Sequence, residues 1–305
     1  MEHINRPVSF GKNETFFLKY NWTYKSLSAL KTNNNFFSKT NSYLDLGVGK
    51  NMLASIKYWM GAYQILDENR NAYSDKISEM IFNPDSGLDP FIEREETLWM
   101  MHWRLCSNYQ NATLYYWFFN KFKSTRFTKD ELTGSLYNWL SDNTSKKISS
   151  NTIERDINLL LKTYSTKTNE SESLEDDLEN PFSNLELIHK NSDGSYTSVY
   201  KHRDSIDHKM LTFFILKLLE DINKKDLFTE NENSFIPLIE IIDSSDHPSI
   251  RNMFKLSENY LMQLIEKMVQ EYSKYFDLSE TAGQRNIIIK DNDFPILKLL
   301  KDIYS

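Results

Sequence analysis

Apolar residues recur at helical spacing in several stretches of this chain, and two of these stretches share one pattern. In residues 42–68 a short apolar segment is followed by a glycine and then by a longer periodic segment. Gly47 allows the positive φ that ends a short helix. The longer segment carries apolar side chains on one helix face, namely Met52, Ile56, Trp59 and Tyr63. The stretch therefore predicts a helix-turn-helix, ending in a small apolar step at Ile65–Leu66.

A second copy of the pattern covers residues 127–164. Its first helix has a leucine stripe, and either Ser149 or Ser150 suits the N-cap of the next helix. Glu154 follows at a distance that favours a capping box. The buried face of the second helix is predicted at Ile153, Ile157, Leu160 and Tyr164.

Two further patterns predict short strands. Asp193–Gly194 is a strong hairpin turn signal between two apolar arms, and this hairpin is a candidate for the wing of a winged-helix module. A weaker third helix-turn-helix echo lies at residues 254–290, with Ser257 as its cap and a short buried strand at Ile287–Ile289. In the alternative interpretation, all three units are helical hairpins that pack together and bind no nucleic acid.

These patterns predict a mainly α fold with short β-hairpins, built from tandem winged-helix-like (helix-turn-helix) units. Only 8 of 305 residues are glycine, which weighs against a doubly wound parallel sheet with its glycine-containing turns. We expect an N-terminal helical part at 1–164 with two helix-turn-helix units and an acidic connection at 165–184. The wing hairpin and a C-terminal helical part, with the possible third unit, then occupy 185–305.

Composition narrows the class of protein. A single cysteine excludes a disulfide scaffold and a cysteine-rich zinc site. The strongly apolar runs are about ten residues long, too short for a membrane span, and the first residues lack a signal-peptide pattern. LGVGKN at 46–51 does not have the spacing of a phosphate-binding loop, so no nucleotide cofactor is expected. We therefore expect a cytoplasmic protein without a membrane partner.

Charge is distributed unevenly along the chain, whose net charge is −7. Residues 1–62 hold eight basic and three acidic side chains, and residues 120–167 hold nine and five. Both basic blocks coincide with a helix-turn-helix pattern, whereas 170–186 has seven acids and no base. Double-stranded DNA is therefore the expected ligand. The first turns of the second helix of each pair (the helix fronts) carry residue types that contact phosphates and base edges. The predicted contacts are Lys12, Lys50, Asn51, Ser55, Lys57, Ser150, Asn151, Thr152 and Arg155.

One acid-rich segment, residues 89–104, is the best candidate for chemistry. Asp89 and Glu93 would share a helix face if the helix began before Asp89, and such carboxylates can hold Mg²⁺. A divalent ion beside a phosphodiester activates water and stabilises the leaving oxygen. In the alternative interpretation, Asp89 caps a helix with Pro90 in its first turn, and His102 lies in the core.

Four blocks of the sequence resemble the SspB-like family of bacterial DNA phosphorothioation and phage-defence systems, a family otherwise described as a domain of unknown function. The blocks are FGKNETFFLKYNW (10–22), LGVGKNMLASIKYW (46–59), LDPFIEREETLWMMHWRL (88–105) and SSNTIERDINLLLKTY (149–164). The resemblance implies an anti-phage role beside an ATPase, a sulfur-transfer enzyme and a cysteine desulfurase. It also implies that the protein opens or nicks one DNA strand with Mg²⁺ or Mn²⁺.

By the same resemblance, Glu14, Asp89, Glu93 and His102 are candidate nuclease residues. The family pattern has a histidine before Glu-Thr-Phe, where this chain has Asn13. If that histidine serves as base or metal ligand in the family, its replacement by Asn13 argues against strand cleavage by this protein. Two alternative functions need no cleavage: a DNA-binding or adaptor subunit of a phage-defence gene cluster, and a transcriptional regulator of such a cluster.

Overall fold

The protein consists of two compact units, Met1–Val199 (the N-terminal unit) and Tyr200–Ser305 (the C-terminal unit). This computed structural model describes residues 7–166, 179–223, 234–244, 246–281 and 283–305. Within these residues both units are mainly helical with a short β-hairpin, as the sequence predicts, and in each unit a third strand extends the hairpin to a three-stranded antiparallel sheet. Most of the predicted acidic connection at 165–184 lies outside the described residues.

Helices dominate the N-terminal unit. They pack around α5 and α6, and every residue of α6 is buried. The elements are α1 (Tyr20–Thr32), α2 (Ser42–Leu46), α3 (Lys50–Ala62), α4 (Lys76–Phe82), α5 (Glu95–Ser107), α6 (Thr113–Asn120), β1 (Arg126–Phe127), α7 (Lys129–Asn143), α8 (Ser150–Tyr164), β2 (His189–Lys190) and β3 (Tyr196–Thr197).

The first predicted helix-turn-helix is present as α2 and α3. Gly47 has φ +67° and ends α2, as its position in the sequence predicts. Ile56, Trp59 and Tyr63 are fully buried, whereas Met52 is only half-buried. The apolar face of α3 therefore begins one turn later than the periodicity indicates.

The second predicted pair is present as α7 and α8. Ser149 is the N-cap of α8, and its hydroxyl oxygen accepts the N–H of Thr152 at 3.2 Å. Thr152 occupies the third helical position, so Glu154 lies too far along α8 to complete a capping box. The capping box of this region is on α7, where Thr128 and Glu131 cap each other.

The predicted hairpin is also present, but in the N-terminal unit. Its second strand, β3, lies between β2 and β1, with Thr197 opposite Arg126 and Tyr196 opposite Phe127. The prediction that the hairpin belongs with the C-terminal part is therefore wrong. The reason is that β1 has two residues only, too few to show a strand pattern in the sequence.

The C-terminal unit has the same strand connectivity. Its sheet has the order β4-β6-β5, so the last strand of the hairpin again lies in the middle. Its elements are α9 (His208–Asn223), β4 (Ser234–Pro237), α10 (Leu238–Asp243), α11 (Ile250–Phe254), α12 (Glu258–Glu271), β5 (Phe276–Thr281), β6 (Gln284–Ile289) and α13 (Ile296–Ile303). The predicted buried strand at Ile287–Ile289 is the end of β6. In the described parts of both units, no helix is long and apolar enough to cross a membrane.

Candidate functional site

The segment before α1, residues 11–16 (the N-terminal loop), is fixed to α8 by one carboxylate. The N–H of Gly11 donates to Asp156 Oδ2 at 2.7 Å, and the Nδ2 of Asn13 donates to Asp156 Oδ1 at 3.1 Å. A Cβ atom on Gly11 would lie 2.9 Å from Cγ2 of Thr152. Glycine at this position therefore allows the loop to lie directly on the helix.

The other end of the N-terminal loop is fixed to α3. The carbonyl oxygen of Phe16 accepts hydrogen bonds from Ser55 Oγ at 3.3 Å and from Trp59 Nε1 at 2.8 Å. Ser55 is fully buried, so its prediction as a DNA contact is wrong. The reason is that the loop covers this face of α3, which the helix periodicity alone leaves on the surface. One short loop thus contacts both α3 and α8.

Between these anchors the loop backbone is unusual. Glu14 and Thr15 have φ +47° and +69°, a region that β-branched residues rarely adopt. The side chain of Asn13 stabilises the turn, because its Oδ1 accepts the N–H of Thr15 at 3.1 Å. The Glu14 side chain lies at the exposed tip. Backbone strain of this kind concentrates at functional sites.

Most of the predicted DNA contacts are on the surface. Asn51 and Asn151 are both exposed, which the prediction of two groove-entering helices requires. Thr152 is half-buried. The other exposed candidates are Lys12, Lys50, Lys57, Ser150 and Arg155. The structure therefore leaves every predicted contact except Ser55 accessible at least in part.

Two further lysines contact residues on either side of the N-terminal loop. The Nζ of Lys146 donates to the carbonyl oxygen of Val8 at 3.1 Å. The Nζ of Lys162 lies 5.3 Å from the centre of the Phe17 ring, within cation–π range. Lys146, between α7 and α8, and Lys162, near the end of α8, therefore add positive charge to that of the two helix fronts.

Asp156 is the buried anion of this region, at 4% exposure. Burial raises the pKa of its carboxyl group, although the bonds from Gly11 and Asn13 and the charge of Arg155 act in the opposite direction. Asp156 is not among the site residues that the sequence predicts. A signal was present, because Asp156 lies on the same helix face as Ile153 and Leu160, where an acid is out of place.

Asp89 stabilises the loop that leads into α5. Its carboxylate accepts the N–H groups of Glu93 at 2.9 Å and Arg94 at 3.0 Å, and the hydroxyl of Thr97 at 2.6 Å. Helix α5 begins only at Glu95, so Asp89 and Glu93 lie in the preceding loop and share no helix face. The expected carboxylate pair is therefore wrong, and so is the alternative that Asp89 is the N-cap, because Arg94 occupies that position.

His102 lies in the core. It is completely buried, and its Nδ1 lies 2.8 Å from the hydroxyl of Tyr164 and 3.6 Å from the Sγ of Cys106. The ring of Phe119 meets the imidazole edge-to-face. A nucleic-acid strand cannot reach this imidazole, so the assignment of His102 as a nuclease residue is wrong. The alternative interpretation of a core histidine is correct.

The four candidate nuclease residues do not form a metal site. Glu14 is at the tip of the N-terminal loop, Asp89 binds its own loop, Glu93 is exposed beside it and His102 is buried. Over the described ranges, no group of three histidine, cysteine, aspartate or glutamate side chains is arranged to hold a metal ion. These four side chains therefore do not together form the expected Mg²⁺ or Mn²⁺ site.

Comparison with known proteins places the chain in one family. The chain is similar to an SspB crystal structure with bound magnesium ion, with a TM-score of 0.81, 22% identity and coverage of 97% of this chain and 88% of that one. Another SspB crystal structure gives a TM-score of 0.79, 21% identity and coverage of 99% and 88%. No curated protein matches. A family model described as "Protein of unknown function (DUF4007)" matches residues 10–304. Because that match covers nearly all of its length, the chain belongs to the DUF4007 family.

Proposed function

We propose that this protein is a DNA-binding component of a bacterial DNA phosphorothioation system that acts against phages. A single observation carries the DNA-binding part: the N-terminal loop joins α3 and α8, the second helices of the two helix-turn-helix units. The exposed charges of Lys12, Lys50 and Arg155 are carried by the loop and the two helices that it joins, and we propose that they face the same DNA. Such charges can neutralise several neighbouring phosphates.

The connectivity of the two sheets supports winged-helix modules. In each unit a strand, then helices, then a hairpin follow one another, with sheet orders β1-β3-β2 and β4-β6-β5. A winged helix places its second helix in the major groove of DNA. In the C-terminal unit the helix that precedes the hairpin, and so corresponds to α8, is α12, whose exposed side chains include Glu258, Glu266 and Glu271. Because these acids repel phosphate, we assign DNA contact to the N-terminal unit.

The DNA-binding proposal is tested by a salt titration. Lys50→Glu combined with Arg155→Glu removes two cations and adds two anions, so the affinity for duplex DNA should fall at least tenfold at low salt. The slope of log K against log salt should also decrease, by about 0.9 for each phosphate that the variant no longer neutralises. Unchanged affinity and slope, in a variant with wild-type circular dichroism, would show that these helix fronts do not meet DNA.

The phosphorothioation role is supported by the likeness in fold to SspB and by the sequence blocks that resemble the SspB-like family. The proposed partners are the ATPase, the sulfur-transfer enzyme and the cysteine desulfurase of such a system. Deletion of the gene from its host should abolish phosphorothioate linkages in the DNA, as measured by mass spectrometry of digested nucleotides, and complementation should restore them. Phosphorothioate levels that survive deletion would favour the adaptor or regulator alternatives.

Strand nicking is the second candidate function. The observations that favour it are the magnesium ion in a similar SspB structure and the exposed carboxylate of Glu14 on the proposed DNA surface. Supercoiled plasmid incubated with the protein and Mg²⁺ or Mn²⁺ should then be nicked, and Glu14→Gln should abolish nicking while DNA binding persists. Nicking that survives both Glu14→Gln and Glu93→Gln would remove these two carboxylates from the chemistry. Tight DNA binding without nicking would establish a non-catalytic subunit.

A further inference from the structure

We infer that the N-terminal loop is a third DNA-contacting element and that Asp156 is its positioning residue. This inference rests on the proposed DNA-binding function and deepens it. Asp156 itself is buried, at 4% exposure. It acts through Gly11 and Asn13, whose hydrogen bonds fix the place of Lys12 between the two helix fronts.

The N-terminal loop is held on both sides of Lys12. Lys12 lies between the two residues that donate to Asp156, so its Cα can move little while both bonds persist. The second anchor, from Ser55 and Trp59 to the carbonyl of Phe16, follows four residues later. A loop held at both ends by side chains of the two second helices is fixed relative to both of them.

The burial of Asp156 makes its hydrogen bonds with the loop necessary. A buried carboxylate is costly unless donors satisfy its oxygens, and here each oxygen receives a donor from the loop. The other charged or titratable groups that act on it are Arg155, Tyr58 and Tyr115, and burial raises the pKa of both phenols. The hydroxyl of Tyr58 donates to the carbonyl oxygen of Asn111 at 2.9 Å instead, so the loop supplies the stabilising donors.

The consequence for binding is preorganisation. Lys12 is exposed and carries its charge on a backbone already ordered in the free protein. Binding of a phosphate by such a residue costs less conformational entropy than binding by a mobile segment. The positive φ values of Glu14 and Thr15 persist because the surrounding contacts determine them. Releasing the loop should therefore remove the contribution of Lys12 even though its charge remains.

A double-mutant cycle on the full chain tests the inference. Lys12→Ala in the wild-type background should weaken duplex binding three- to tenfold and lower the salt slope by about 0.9. The same substitution in an Asp156→Ala background should change the affinity less than twofold. The matched control is Lys50→Ala, which does not depend on the loop and should cost the same factor in both backgrounds.

A structural measurement accompanies the cycle. The amide of Gly11 should exchange with solvent at least ten times faster in Asp156→Ala than in the wild type, because its acceptor is gone. Asn13→Ala provides a second variant if Asp156→Ala does not fold, since it removes one of the two bonds and leaves the carboxylate in place. It should raise Gly11 exchange and reduce the effect of Lys12→Ala in the same direction.

The outcomes separate this inference from the proposed function. If Lys50→Ala and Arg155→Ala leave DNA affinity unchanged, the DNA-binding function itself is wrong. If those two weaken binding but Lys12→Ala costs the same factor with and without Asp156, the function stands and the inference is overturned. It is also overturned if the Gly11 amide is released while affinity and salt slope stay at wild-type values.

Discussion

Asp75 and Arg104 form an ion pair in which one partner is buried and the other reaches the surface. The side chain of Arg104 is 4% exposed and that of Asp75 is 45% exposed. The guanidinium donates to both carboxylate oxygens, at 3.0 and 2.9 Å, and to the hydroxyl of Ser78 at 2.6 Å. Asp75 also caps α4 by accepting the N–H of Ser78. A single residue thus joins α4 to the central helix α5.

The pH dependence of stability follows from this pair. Burial acts to raise the pKa of Asp75, but Arg104 and the bonds from Ser78 outweigh it, so the pKa lies below its ordinary value of 3.8. A lowered pKa means that the stabilisation is present above about pH 4 and is lost as the pH falls below 3.8. Asp75→Asn should lower the free energy of unfolding by about 2 kcal/mol at pH 7.

Urea unfolding of the wild type and Asp75→Asn between pH 7 and pH 3 measures this contribution. The difference between the two proteins should narrow below pH 4, because the unfolded chain takes up a proton on Asp75 near its ordinary pKa of 3.8 whereas the folded protein does so only at lower pH. Lys76→Ala, on the exposed pair with Glu79, is the control and should change stability by less than about 0.5 kcal/mol. A difference that stays constant over the whole range would contradict the assignment.

Gly87 is a position where backbone atoms leave no room for a side chain. A Cβ atom there would lie 2.5 Å from the carbonyl oxygen of Ile81 and 2.6 Å from that of Asn83. Both clashes are with backbone, so a rotamer change cannot relieve them. Gly87→Ala should therefore lower the free energy of unfolding by about 2–4 kcal/mol, measured by denaturant titration. An unchanged midpoint would show that the turn relaxes freely.

At the scale of the element, helix periodicity predicts α3, α7 and α8 well because it depends on neighbours within one turn. Apolar stripes at three- and four-residue spacing need a core to bury them, and the core here is made by α5 and α6. Ends of helices follow from local chemistry as well, as Gly47 and Ser149 show. Two-residue strands such as β1 carry no such signal.

Helix propensity gives a prediction for α7. Gly134 lies in the middle of this helix, is exposed, and has no atom within 4 Å of the place a Cβ would take. Gly134→Ala should raise the free energy of unfolding by about 0.5–1 kcal/mol, because glycine loses more backbone entropy in a helix than alanine. Gly87→Ala is the same substitution at a site without room for a Cβ atom, so the two variants should change stability in opposite directions. A drop in stability in both would show that the space around the Cβ atom does not decide the effect.

At the scale of the whole molecule, the net charge is a poor guide to the charge of a local surface. The chain is acidic overall at −7, yet the N-terminal loop and the fronts of α3 and α8 carry exposed lysines and an arginine. Salt screens charges beyond about 8–10 Å, so a phosphate responds to the local surface rather than to the sum. The two units therefore differ in their expected contribution to DNA binding.

Charge reversal in each unit tests that division. Lys267→Glu, on the exposed face of α12, should leave DNA affinity within twofold of the wild type at low salt. Arg155→Glu, on α8, changes charge by the same amount and should weaken binding at least fivefold. Fluorescence anisotropy with one labelled duplex measures both. Equal reductions in affinity would mean that the C-terminal unit also touches DNA, or that only the overall charge matters.

The sequence by itself determined the helices, the helix ends at Gly47 and Ser149, the hairpin turn and the exposed basic residues of α3 and α8, because these depend on residues within a few positions of one another. Only the tertiary structure decided the surroundings of the candidate site residues. Asp156 binds Gly11 from 145 positions away, and the loop that makes this contact buries Ser55. His102 looks chemically competent as a residue type but lies in the core beside Tyr164. Contacts over such separations arise from packing, and no local pattern encodes them.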